Sequence, residues 1–194
     1  MFNQTQYFVK EHVGILKLTD TYDIFDPASG RQIGVAKEKV PGLMQLLRLL
    51  VNKRMLPTSV EIKETPESPP HLTIKRGFTL LQSKITVHAA DGRMIGYFKS
   101  KLFSFGGGFH VFDAANRQVA DVKGNWKGWD FKMLASDGGE MGTVTKKWAG
   151  LGKELFTSAD NYMIDIRPEY AGNETVVALL LAAGLAIDIV FKEK

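Results

Sequence analysis

The chain has 194 residues and no cysteine. That absence excludes a disulfide scaffold, thiolate zinc or iron–sulfur sites, a thiol nucleophile and palmitoylation, and it fits a reducing compartment. Charge of one sign is also scarce: 25 lysines and arginines against 21 aspartates and glutamates leave +4, which does not by itself point to nucleic acid. Between Met1 and Lys10 no basic region leads into an apolar stretch, so no secretory signal is expected. The expected location is cytoplasmic, peripheral to a membrane at most. The four histidines, at 12, 71, 88 and 110, show no paired spacing, which argues against a metal site. Gly106-Gly107-Gly108 lacks the Gly-Lys-Ser/Thr of a phosphate loop and reads as a bend, and no Gly-x-Ser-x-Gly elbow occurs. No catalytic residue and no cofactor is indicated, and the chain is not expected to be an enzyme. What is present, 44% hydrophobic and 24% charged residues, suits one globular domain over residues 1–194.

Long apolar runs are limited to one. Val176 to Phe191 has Asp188 as its sole charge. At about 1.5 Å per residue a helix here reaches roughly 24 Å, short of the ~30 Å hydrocarbon core of a bilayer. Apolar residues occupy every side, so lipid or the protein's own core must surround it. Ala178, Ala182 and Ala186 fall four apart, with Ala183 and Gly184 beside them, and permit close backbone approach. The length and Asp188 favour a buried core helix, with Leu179, Ala182, Leu185 and Ile189 as core positions.

Four stretches elsewhere share one form, a short alternating run, an Asp/Gly/Asn turn and a second run: Tyr22 to Lys37, Ile85 to Lys99, Phe109 to Lys123 and Phe131 to Val144. This is the pattern of β-hairpins with one face inward. A closed or nearly closed sheet suits them, because closure removes exposed edges, and its dry interior needs a filler. The apolar helix supplies one. Gly42 to Arg54 reads as an amphipathic helix, and the proline-bearing stretch from Glu64 to Pro70 as a surface loop.

Two basic clusters are candidates for a lipid or partner surface. One holds Lys37, Lys39, Arg48, Lys53 and Arg54; the other interleaves cations with tryptophans at Lys123, Trp126, Lys127, Trp129, Lys146, Lys147 and Trp148. Aromatic rings beside cations suit a lipid headgroup interface, or bases stacked along a phosphate backbone. The competing account places the tryptophans over the barrel ends and the lysines in solvent.

Tyr22-Asp23-Ile24-Phe25-Asp26, Gly124-Asn125-Trp126-Lys127-Gly128-Trp129, Ser158-Ala159-Asp160-Asn161-Tyr162 and Ala186-Ile187-Asp188-Ile189-Val190-Phe191 together resemble the phospholipid scramblase and LURP-one-related family of the Tubby-like superfamily. The resemblance implies a mainly β, 12-stranded antiparallel barrel around a hydrophobic C-terminal helix. Together with the hairpin repeat and the enclosed helix, the resemblance leads to the expectation of a non-enzymatic binding module for a protein partner or anionic phospholipid, nucleic acid not being the expected ligand. The alternative it raises is a membrane-inserted scramblase whose last helix spans the bilayer. The family's calcium loop would fall on Ser158 to Glu169, where only Asp160 and Glu169 remain as carboxylates. Those two make a poor site for a cation that takes six to eight oxygens.

Overall fold

A computed structural model describes residues 1–12, 19–42, 56–78, 84–100, 108–125, 128–146 and 161–191, the side chains of 189–191 excepted. Twelve antiparallel strands form a closed barrel in which sequence neighbours are also spatial neighbours, and the ring closes between the first strand and the last. In order they are β1 (Gln6–Glu11), β2 (Thr21–Phe25), β3 (Gln32–Lys39), β4 (Thr58–Lys63), β5 (Leu72–Arg76), β6 (Lys84–Ala89), β7 (Met94–Ser100), β8 (Gly108–Asp113), β9 (Gln118–Asn125), β10 (Asp130–Leu134), β11 (Glu140–Thr145) and β12 (Asn161–Ile166). A short 3₁₀ turn at Pro168–Tyr170 leads into helix α1, Glu174–Phe191.

All four predicted hairpins form, and they turn by one device. In β2–β3, β6–β7, β8–β9 and β10–β11 the turn holds a residue in the left-handed region: Gly30, Gly92, Asn116 and Gly138, with φ of 70°, 82°, 63° and 88°. A register shift follows in each ladder. A left-handed residue beside a bulge lets a tight turn match strand twist, and glycine or asparagine adopts it at little cost.

Helix α1 lies inside the ring, with the described side chains from Val177 to Asp188 buried, including Leu179, Ala182 and Leu185. Asn173 starts it, its Oδ1 accepting from Val176 N at 3.1 Å, the usual work of an N-cap asparagine. The small residues set the fit: a Cβ added at Gly184 would collide with Ile164 of β12, and one added at Gly96 of β7 would lie 2.8 Å from Leu179 Cδ2. The predicted helix at Gly42 to Arg54 lies almost wholly outside the described residues.

The expected dry interior is corrected in one sector. Tyr162 of β12, Glu11 of β1, Tyr22 of β2, Glu38 of β3, Thr58 of β4 and Arg76 of β5 are buried at the end of the barrel where α1 finishes. These are six adjacent strands of the ring. The other six present Ile85, Phe98, Phe109, Val122, Phe131 and Val144 to the core. Asp188 belongs to the polar half, since the Tyr22 hydroxyl donates to its carboxylate. An all-apolar cylinder has little to fix its rotation; one buried polar contact does so.

Candidate functional site

Strand alternation sends the remaining side chains outward, and the outer wall divides by charge. Across β3 to β7 it carries Lys37, Lys39, Lys63, Lys75, Lys84 and Lys99, and among the described residues Glu61 is the one carboxylate facing out from these strands. Lys37, Lys39, Lys75, Lys84 and Lys99 are exposed. Glu61 is held between Lys39 Nζ at 2.7 Å and Lys63 Nζ at 3.4 Å. Burial pushes the Glu61 carboxyl up, but its hydrogen bonds and charge contacts with Lys39 and Lys63 outweigh this and hold it below the usual range. Farther round, Lys84 Nζ sits 4.4 Å from the centroid of the Tyr97 ring, which stacks on Phe112 with centroids 4.8 Å apart.

The wall from β8 to β12 is balanced. Asp121 takes His110 at 2.5 Å and Lys123 at 3.5 Å. Glu140 takes Lys132 at 3.1 Å and Arg167 at 2.9 Å, and the Lys132 contact holds its carboxyl below the usual range. Asp165 accepts from Gln6 Nε2 at 3.0 Å. Cations here are already matched by carboxylates.

The residues singled out from sequence are separated by this division. Lys37 and Lys39 stand on the lysine-rich side, whereas Lys123 stands on the balanced side, paired with Asp121. Trp129 and Lys146 lie at the end of the barrel where α1 finishes. Trp129 packs on Tyr162, centroids 5.3 Å apart, with Lys146 Nζ 4.2 Å above its ring. Arg48, Lys53, Arg54, Trp126, Lys127, Lys147 and Trp148 lie outside the described residues, as does Asp160. Glu169 is exposed in the 3₁₀ turn, and β12 occupies the middle of the stretch matched to a calcium loop. Among the described residues no group of three or more potential metal ligands occurs.

Sequence reasoning missed Lys63, Lys75, Lys84 and Lys99, because each stands apart in the chain and only the barrel brings their strands side by side. It also missed the buried polar arc. The signal was strand parity: Glu11 shares it with Tyr7 and Val9, Glu38 with Gly34 and Ala36, and Arg76 with Leu72 and Ile74. Within that arc burial, followed by the nearby Asp188 carboxylate, pushes both Tyr22 and Tyr162 well above the ordinary tyrosine range. Both phenols therefore stay protonated, Tyr22 as a donor to Asp188 and Tyr162 with no hydrogen-bond partner among the described residues.

A family model described as Scramblase matches residues 19–194 of the chain. No curated protein and no solved structure matches it.

Proposed function

The chain belongs to the scramblase family, and from that premise we propose that it is a non-catalytic binding module that docks on anionic phospholipid surfaces through the lysine-rich side of its barrel. The observation that carries this reading is the six outward lysines of β3 to β7 against Glu61 alone among the described residues. Each lysine near an anionic membrane contributes about 1 kcal/mol, and the attraction decays within a Debye length of about 10 Å at 0.1 M salt. The lysine stems and the Tyr97–Phe112 stack add apolar area beside the charges.

The placement of the helix supports docking over spanning. Leu179, Ala182 and Leu185 are already enclosed by strand side chains, and Asp188 is bonded to the wall. Among the described residues no helix is long and apolar enough to cross a membrane.

Flotation with phosphatidylcholine vesicles, with and without phosphatidylserine, tests the proposal. Binding is expected only with phosphatidylserine, and it should weaken as salt rises. Lys75→Glu with Lys84→Glu should reduce it at least tenfold, because two attractions become repulsions. Lys132→Glu, on the balanced side, should change it little. Failure to float with phosphatidylserine vesicles at low salt overturns the reading.

A further inference from the structure

A groove of about 810 Å³ runs along the outer face of β3 and β4, lined by Lys37, Lys39, Ser59 and Lys63, with Pro41 and Pro66 toward its ends. That volume lies within the range of small-ligand sites. The ladder places Lys37 opposite Glu61 and Lys39 opposite Ser59, so the groups face one another across two strands. Glu61 gives one carboxylate oxygen to Lys39 at 2.7 Å and the other to Lys63 at 3.4 Å. Lys63 and Glu61 are well sheltered, with side chains 17% and 14% exposed, so this pair is a fixed part of the wall.

Lys37 is exposed and has no ion pair among the described residues. Glu38 also borders the groove, but its carboxylate is turned inward, taking the Thr58 hydroxyl and the Asp20 N–H. Among the described residues the groove therefore presents three ammonium groups, with Glu61 behind Lys39 and Lys63 as the one outward carboxylate, a surplus of two positive charges. A phosphodiester or a carboxylate, each a monoanion, would neutralise half of that surplus. A phosphate monoester, carrying about −1.5 to −2 at neutral pH, neutralises it and brings three acceptor oxygens for the ammonium and Ser59 hydroxyl donors.

We infer that the β3–β4 groove is a binding site for a phosphate monoester, seated between Lys37 and the Glu61-oriented pair Lys39 and Lys63. This rests on the docking proposal for its membrane source, since the monoester can belong to a lipid headgroup or to a soluble organic phosphate.

The two sources are separated by vesicles matched for surface charge, doped with phosphatidic acid, a monoester, or with phosphatidylglycerol, a diester, and by titration with soluble glycerol phosphate. Tighter binding to phosphatidic acid vesicles, by about fivefold or more, is expected for the unmodified protein. Lys37→Gln should abolish that preference while leaving residual binding to both vesicles, and Lys132→Gln should keep the preference. Circular dichroism confirms that both variants fold.

Equal binding to the two vesicle types, with no Lys37-dependent binding of glycerol phosphate, overturns the groove and leaves the docking proposal standing. Binding of glycerol phosphate that needs Lys37, without binding to either vesicle, upholds the groove with a soluble ligand and overturns docking. A preference that survives Lys37→Gln also overturns the groove.

Discussion

The interior of the barrel has two unlike halves at the end where α1 finishes. From β12 round to β5 the wall offers tyrosines, carboxylates, a threonine and an arginine; from β6 to β11 it offers aliphatic and aromatic side chains. The apolar half fits the helix by shape, Gly96 of β7 making room for Leu179, and so provides cohesion. The polar half accepts one arrangement, because a buried carboxylate must meet its donors. Cohesion and specificity are thus assigned to different strands, and substitutions on the two sides should differ in kind.

The largest effect is expected from Leu185→Asp, which puts a carboxylate into the enclosed helix with no partner provided for it. More than about 4 kcal/mol should be lost in urea denaturation, enough to unfold a domain of ordinary stability, whereas Leu185→Met should cost less than about 1.5 kcal/mol. A folded Leu185→Asp protein would show that the helix is not enclosed. Tyr22→Phe comes next. It removes the hydroxyl that donates to Asp188, and about 1–3 kcal/mol should disappear because a buried carboxyl oxygen loses that donor.

Gly184→Ala should cost about 1 kcal/mol, the collision with Ile164 exceeding the gain in helix propensity. Smallest is Tyr162→Phe, which deletes a buried hydroxyl that has no hydrogen-bond partner among the described residues. It should shift stability by less than about 0.5 kcal/mol or raise it slightly. Equal losses for Tyr22→Phe and Tyr162→Phe would erase the distinction drawn within the polar half.

The same tyrosines fix an alkaline limit. Tyr7, Tyr22 and Tyr162 are all raised above their ordinary value of 10.0, chiefly by burial, so the unfolded chain releases these protons first. Their contribution is complete below pH about 10 and is lost as pH rises beyond it. Urea midpoints should be flat toward pH 9 and fall above pH 10, with the tyrosinate absorbance of these three residues appearing together with unfolding. Tyrosinate formation by all three phenols in a protein that remains folded would contradict the burial assigned to them.

Much of the fold is legible from sequence wherever local chemistry dictates it. Asp26 to Gly30, Asp91-Gly92, Asn116 and Asp137-Gly138 announce four turns because only a few residue types accept the left-handed backbone. The helix is legible from its apolar run, and its start two residues earlier, at Glu174, follows from Asn173 as the cap. Less of the candidate surface is legible. Lys37 and Lys39 are close in sequence, but their association with Lys63, Lys75, Lys84 and Lys99 depends on strands being neighbours, which residue spacing does not encode. The polar arc is partly encoded, since Glu38 and Arg76 fall at inward parity, yet charges near strand ends normally read as solvent-facing.

Closure of the ring joins Gln6 to Asp165, and the filling helix follows at once in the chain. During synthesis, eleven strands leave the ribosome before either the strand that seals the wall or the segment that occupies it. The nascent polypeptide must keep an incomplete, apolar-lined gutter from sticking to its neighbours until β12 and α1 arrive, which makes folding slow.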